Sequence, residues 1–273
     1  CRAKCLRGTD ITLAIPSVGA TENAILAACG AEGTSVIYNA AREPEIVDLQ
    51  ALLRSMGARV NGAGGSIITV EGGAVLHGCT HRVIGDRIVC ATYLCAAAAA
   101  GGEVRLTGVD YRAVSTVALS LAESGCEVRS EADAVSLRST GALRSVRPVR
   151  TAPYPGFPTD AQPVLMAALL RSEGCTVFVE NIFENRYRHV DELSRMGAEI
   201  RVAGRVAVVN GVRTLHGAAV KCTDLRGGAA LVIAGLSAEG TTRVTELTHI
   251  DRGYDAIERD LAALGAQIRR ETT

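Results

Sequence analysis

The sequence predicts an α/β fold assembled from four tandem copies of one unit, roughly βαβαββ. Two observations carry this. The first is a small-residue pair that closes an amphipathic stretch four times, in "SMGARV", "ESGCEV", "RMGAEI" and "ALGAQI". Its glycines, Gly57, Gly125, Gly197 and Gly265, are spaced 68, 72 and 68 residues apart. The second is an earlier glycine in each copy: Gly33 in "AEGTSVIYN", Gly102 in "AGGEVRLTG", Gly174 in "SEGCTVFVE" and Gly240 in "AEGTTRVTE". It precedes the first landmark by 24, 23, 23 and 25 residues. Two landmarks that hold one distance through four copies mark a structural repeat.

Each element of a copy has its own reason. An Ala-rich apolar stretch reads as a helix that ends at the earlier glycine, where a left-handed cap suits it. A β-rich run follows, such as "TVFVEN". A second helix comes next. In the fourth copy Tyr254, Ile257, Leu261 and Leu264 fall on one helical face, as do Val190, Leu193 and Met196 in the third. Two strands close the unit, for example "AEIRVAG" and "RVAVVNG". Sheet and helices then form one pair of layers. Three such units can close around a pseudo-threefold axis, and four cannot do so as equals. One copy is therefore expected to stand apart, with the boundary near "VEGGAVLHG". Residues 1–75 are expected to form a single unit and residues 76–273 a domain of three.

Composition narrows the function. The chain has 273 residues, 48% of them apolar but only 3% aromatic, and no tryptophan. Small aliphatic side chains of this kind suit helices packed on sheets. The 29 basic and 29 acidic residues cancel without a basic stripe, which argues against nucleic acid or an anionic membrane as partner. Nine cysteines include no CxxC pair, and the five histidines show no ligand spacing with them. They read as buried small hydrophobes in a reducing cytoplasm rather than as a metal site. There is no signal peptide and no bilayer-spanning apolar run. Without a P-loop or GxGxxG, no nucleotide cofactor is expected. The chain opens at Cys1 and its first methionine is Met56, so it is expected to be incomplete at its N-terminus.

The notable charges lie in loops at equivalent points of the copies. They are Arg42, Glu43 and Glu45, Asp86 and Arg87, Asp160, Glu184 and Arg186, Asp224 and Arg226, and Asp251 and Arg252. Asp86, Asp160 and Asp224 each open an Ala-rich helix. An acid there caps free N–H groups and complements the helix dipole, which is the reading preferred for Asp86 and Asp224. Asp160 sits in "PYPGFPTDAQP", where three prolines stiffen the approach, Thr159 offers a cap and Pro163 suits a first turn. For it, helix capping and a chemical role both stand. Arg186, Arg226 and Arg252 come from loops that a threefold arrangement would bring together. Converging guanidiniums suit phosphate and carboxylate groups, although pairing with neighbouring surface acids is the plainer alternative.

At these loops the sequence resembles the UDP-N-acetylglucosamine 1-carboxyvinyltransferases, the enolpyruvyl transferase family of peptidoglycan synthesis. The matching stretches are "SVGAT", "NAAREPEIVD", "GDRI", "PYPGFPTDAQ", "FENRYRHVDELSRMGA", "TDLRGGAALVIAGLSAEGTT" and "HIDRGYDAIERDLAALGA", in family order through nearly the whole chain. The resemblance implies an inside-out α/β barrel of βαβαββ units in two domains, with the active site in the cleft between them. It implies a cytoplasmic, cofactor-free transfer of the enolpyruvyl group from phosphoenolpyruvate to the 3-hydroxyl of UDP-N-acetylglucosamine. Asp160 would be the general base and Arg252 would hold phosphoenolpyruvate. Asp224 and Arg226 would sense the closed state, and Ile182, Phe183 and Arg186 would form the lip near the sugar. Ser17, Val18 and Gly19 would contact the diphosphate, Glu43 would support that side, and Asp86 and Arg87 would form the hinge. The family's N-terminal lysine and asparagine and its reactive-cysteine loop find no match here, as if its first third were absent. The alternative is therefore a catalytically silent chain that binds part of the substrate or a partner.

Overall fold

The computed structural model describes residues 3–271, so Cys1 lies outside the described residues. The chain divides into two compact units. The first runs through Ile84 and includes Pro153–Pro155; the second holds Gly85–Ala152 and everything from Gly156 onward. The division falls past the expected residue 75. The segment before it is tied back to the first unit by His77 N–H on the Met56 carbonyl (2.9 Å) and by His81 Nε2 on Asp48 Oδ1 (2.9 Å).

The first unit shows the full repeat: β1 (Asp10–Thr12), α1 (Val18–Cys29), β2 (Thr34–Tyr38), α2 (Pro44–Ser55), β3 (Arg59–Asn61) and β4 (Ile67–Glu71). Its sheet has the order β1-β2-β4-β3, parallel only between β1 and β2. Ile25, Ile37, Ile46, Val60, Ile68 and Val70 are its core.

The second unit opens with α3 (Arg87–Ala100), β5 (Gly102–Thr107), α4 (Tyr111–Glu123), β6 (Glu127–Ser130) and β7 (Ala134–Ser139). The third copy follows with β8 (Val149–Arg150), α5 (Gln162–Ala168), β9 (Cys175–Val179), α6 (Val190–Arg195), β10 (Glu199–Ala203) and β11 (Val206–Asn210). The fourth holds β12 (Leu215–His216), β13 (Ala219–Lys221), α7 (Leu225–Leu236), β14 (Ala238–Glu239), β15 (Arg243–Thr245), α8 (Thr248–Asp251) and α9 (Ile257–Ala263). Copies one and three carry all six expected elements. Among the described residues, copy two has no strand before α3 and copy four none after α9. The sheet of the third copy repeats that of the first, in the order β10-β11-β9-β8 with β8 parallel to β9.

Helices α3, α5 and α7 pack on one another and carry the core. Every residue of α5 is buried, as is the run Gly227–Ala234 of α7. Alanine and glycine at these positions let three helices approach closely, which bulkier side chains would prevent.

The later glycine landmark has one structural cause. In all four copies the residue after the glycine donates its N–H to a buried leucine carbonyl five residues back: Ala58 to Leu53, Cys126 to Leu121, Ala198 to Leu193 and Ala266 to Leu261. This is the Schellman cap of the second helix, with glycine in the left-handed conformation and a small residue packed on the leucine. The earlier glycines, expected as caps of the Ala-rich helices, mostly play another part. Helix α3 ends on Gly101, next to its landmark Gly102, and α1 ends on Gly30, three residues before its landmark. Helices α1, α5 and α7 end before their landmark, and Gly33, Gly174 and Gly240 turn the chain into the strand that follows. All eight landmark glycines have φ between +88° and +115°. Of the expected helical faces, Ile257 and Leu261 lie on α9 and Val190 and Leu193 on α6, all buried. Tyr254 lies in the loop before α9 and Met196 one residue past α6, both still buried, and Leu264 lies one residue past α9 and is exposed.

Gly125 has φ +108°, and a Cβ there would meet nothing nearer than the Ala142 carbonyl oxygen, at 4.0 Å. Gly125→Ala should therefore cost about 1–2 kcal/mol through backbone strain alone. Gly78→Ala, open and without positive φ, should stay within about 0.5 kcal/mol of the parent. Urea denaturation of the three proteins checks both.

Candidate functional site

The acids that open the Ala-rich helices behave in two ways. Asp86 accepts N–H bonds from Ile88 (2.7 Å) and Val89 (3.0 Å), and Asp224 from Arg226 (3.0 Å) and Gly227 (2.8 Å). Both are N-caps. Ser17 takes the same position on α1, accepting from Ala20 N at 3.4 Å, with Val18 and Gly19 in the first turn. Asp160 differs. It lies inside a 3₁₀ turn, Thr159–Ala161, ahead of α5 and makes no capping bond. Thr159, expected to cap, instead donates its hydroxyl to Glu180 at 3.0 Å.

Freed from its own helix, the Asp160 carboxylate lies between two guanidiniums. Arg186 Nη2 bonds Oδ1, and Arg226 Nη2 lies 3.4 Å from Oδ2. The Asp160 side chain is 41% exposed while the two arginines are 13% and 12% exposed. A solvent-facing carboxylate is thus backed by two largely buried cations. Arg186 is also held by the Thr159 carbonyl at 3.2 Å and stacks 5.0 Å over the Phe183 ring. Arg226 donates to Tyr254 Oη at 3.2 Å, and Tyr254 meets Thr92 Oγ1 of α3 at 2.8 Å. Burial works against the charge of Arg226, but Tyr254 and Asp160 more than offset it and hold its pKa above the ordinary value. All three repeats of the second unit therefore contribute to one cluster.

The remaining expected residues are placed as follows. Arg252 is exposed beside His249 Nδ1 (3.2 Å) rather than on Asp160, so the expected convergence of three arginines is realised by Arg186 and Arg226. Ile182 and Phe183 have exposed side chains, and Phe183 and Arg186 help to line a cavity of about 270 Å³ with Asp224. Arg87 begins α3 behind Asp86. In the first unit Glu43 is buried at the start of α2, where its Oε1 accepts the Tyr154 N–H at 3.4 Å. Cys29, Cys90, Cys95, Cys126 and Cys222 are buried, whereas Cys5, Cys79 and Cys175 are exposed, against the expectation for them. Burial pushes the Cys90 and Cys222 thiols up to about 12, so these are packing residues.

The charge loops did not single out Tyr254, Thr92, Glu180 or His189. The alternation of β9 offers a signal for Glu180: Thr176 and Phe178 face inward, and so does the glutamate two residues on. His189 is fully buried with both ring nitrogens unpartnered, and Gly227 is needed beside it because a Cβ there would come within 2.9 Å of the His189 Cβ.

A model of the EPSP synthase (3-phosphoshikimate 1-carboxyvinyltransferase) family matches residues 1–261. The chain belongs to the EPSP synthase family. Within it, the chain is 52% identical over 265 residues to the UDP-N-acetylglucosamine 1-carboxyvinyltransferase of Gluconacetobacter diazotrophicus, covering 97% of this chain and 63% of that protein. It is 53% identical to UDP-N-acetylglucosamine 1-carboxyvinyltransferase 1 of Symbiobacterium thermophilum, covering 97% and 60%. The chain thus spans less than two thirds of the length of these relatives. The fold matches the crystal structure of the enolpyruvyl transferase NikO from Streptomyces tendae with a TM-score of 0.87 and 28% identity, over 98% of this chain and 66% of that one. EPSP synthase from Acinetobacter baumannii matches with a TM-score of 0.76 at 20% identity, over 99% and 65%. The relatives and the fold are those implied by the sequence motifs. No helix among the described residues is long and apolar enough to cross a membrane.

His189 gives this family member a pH signature. Burial first, and then the Arg186 charge, push its pKa down to about 4 from 6.5, with Asp224 opposing. The unfolded chain binds a proton that the folded chain refuses between those values. Stability should therefore be full above about pH 6.5 and fall as pH drops toward about 4, by on the order of 3 kcal/mol. Urea titrations across this range should show the step in the parent and a flatter profile in His189→Gln.

Proposed function

We propose that this chain supplies the Asp160 face of a UDP-N-acetylglucosamine 1-carboxyvinyltransferase. The observation that carries this is the solvent-facing Asp160 carboxylate backed by Arg186 and Arg226, within loops that match the family motifs. The identity to relatives of that name supports the same reading. Asp160 takes the proton of the sugar 3-hydroxyl as its oxygen bonds to C2 of phosphoenolpyruvate. A proton is added to the methylene carbon, and loss of phosphate with a proton restores the enol ether. General-base transfer needs hydrogen-bond reach and a fixed direction, which the two arginine contacts give the carboxylate.

The other roles follow the resemblance. Arg252 binds phosphoenolpyruvate, while Asp224 and Arg226 respond to closure. Ile182, Phe183 and Arg186 line the sugar lip. Ser17, Val18 and Gly19 hold the diphosphate with Glu43 in support, and Asp86 and Arg87 act as the hinge. Residues before about 75 form the last unit of the first domain, and the later residues the three units of the second. The reaction is the first committed step of peptidoglycan synthesis, in the cytoplasm where both substrates are made, and so serves cell-wall biogenesis. No cofactor takes part. We further propose that these 273 residues by themselves turn nothing over, because the lysine and the cysteine loop that the resemblance places beside phosphoenolpyruvate are not among them.

In an enzyme of the relatives' full length that carries this sequence, Asp160→Asn should leave nucleotide-sugar binding nearly intact. It should lower kcat by roughly 10²–10⁴. A variant within a few-fold of the parent would reduce Asp160 to a helix-end acid. Phosphate release that depends on UDP-N-acetylglucosamine is the assay. Applied to residues 1–273 alone, the same assay should give no release.

A further inference from the structure

Glu180 follows the last residue of β9 and is 1% exposed. Its carboxylate accepts four different donors: the hydroxyls of Thr151 (3.0 Å) and Thr159 (3.0 and 3.1 Å), and the N–H groups of Ile182 (2.9 Å) and Phe183 (3.0 Å). Its own N–H is fixed to the Arg205 carbonyl at 2.8 Å. Thr159 is gripped at both ends, its hydroxyl by Glu180 and its carbonyl by Arg186 Nε. The next residue is Asp160. All four donors reach Oε1 of Glu180 and Thr159 alone also reaches Oε2, so it is the negative charge of the carboxylate that gathers them. Glutamine keeps an acceptor oxygen for these donors but without the charge, and its NH₂ takes the Oε2 place beside the Thr159 hydroxyl.

We infer that Glu180 is the positioning residue for Asp160. It fixes the 3₁₀ turn that carries the carboxylate and, through Ile182 and Phe183, the adjacent lip, so that base and lip move as one body. Nothing in the Proposed function assigns Glu180 a part, although its catalytic consequence rests on that reading. Glu180 is buried and bonds the residue that precedes Asp160, so its effect on that carboxylate passes through Thr159. A misplacement of about 1 Å at such a site costs about 10²-fold in rate.

The test uses Glu180→Gln, Thr159→Val and Thr159→Ser. Amide exchange is followed by mass spectrometry on residues 1–273, and kcat and KM on the enzyme of full family length. Glu180→Gln should exchange about tenfold faster at Ala161, Ile182 and Phe183, since each loses a bond to a charged acceptor or depends on one. Thr159→Val should do so at Ala161 only. In the enzyme both should lower kcat about 10²-fold. The KM for the nucleotide sugar should be little changed in Thr159→Val, and Thr159→Ser, which keeps the hydroxyl, should restore kcat. Unchanged exchange in Glu180→Gln, or a kcat within twofold of the parent, overturns the inference. So does a Thr159→Ser enzyme as slow as Thr159→Val. If Glu180→Gln does not fold, the two Thr159 variants decide. If the parent enzyme transfers no enolpyruvyl group, the functional reading falls by itself, and the exchange pattern still decides whether Glu180 fixes the turn.

Discussion

The close packing of α3, α5 and α7 is the constraint on which the second unit depends. These helices are rich in buried small residues, among them Ala91, Cys95, Ala98, Ala167, Gly227 and Ala230, with Leu94, Leu165, Met166 and Leu231 filling the remaining space. The start of α5 consequently lies beside the start of α7, and the second turn of α3 reaches Tyr254. Asp160, Arg226 and Thr92 come from three different repeats, yet they share one hydrogen-bonded set. Bulkier helices would separate these ends and dissolve the cluster without changing a single functional side chain.

Equivalent positions have diverged by where their lone pairs go. Asp86 and Asp224 commit an oxygen to the N–H groups of their own helices. Pro158 and the 3₁₀ turn deny Asp160 that arrangement, so its two oxygens point to Arg186 and Arg226 instead. The same location in the repeat thus yields structural caps in two copies and an externally directed carboxylate in one. Repetition supplies the scaffold, and a local change in helix geometry supplies the chemistry.

Burial and charge are balanced around that carboxylate. Arg186 and Arg226 are largely buried, and each is compensated by an acid together with an aromatic ring, Phe183 or Tyr254. A cation hidden from water without such partners would be costly. His189, packed against Gly227 of α7, is held toward the neutral form chiefly by burial, with the Arg186 charge adding to it and Asp224 opposing.

The sequence alone determined the repeat, the elements within it and the positions where acids and arginines recur. Those features are local: glycine is required at left-handed φ, leucine and a small residue at each Schellman cap, and period-3.6 or period-2 patterns on helices and strands. It also carried the family, because "PGFPTDAQ" and "HIDRGY" are specific strings. Only the tertiary structure decided what each charge touches. Thr159 looked like a cap and serves Glu180; Arg252 looked like the partner of Arg186 and Arg226 and lies beside His249 instead. Glu180 lies in the run "TVFVEN" with nothing to single it out, and Tyr254 reads only as part of a helical face, yet both organise the Asp160 cluster. Their side-chain partners Thr159, Arg226, Thr151 and Thr92 are 21 to 162 residues away in the chain. Contacts of that kind depend on how helices and strands pack, and no local pattern of side chains records them.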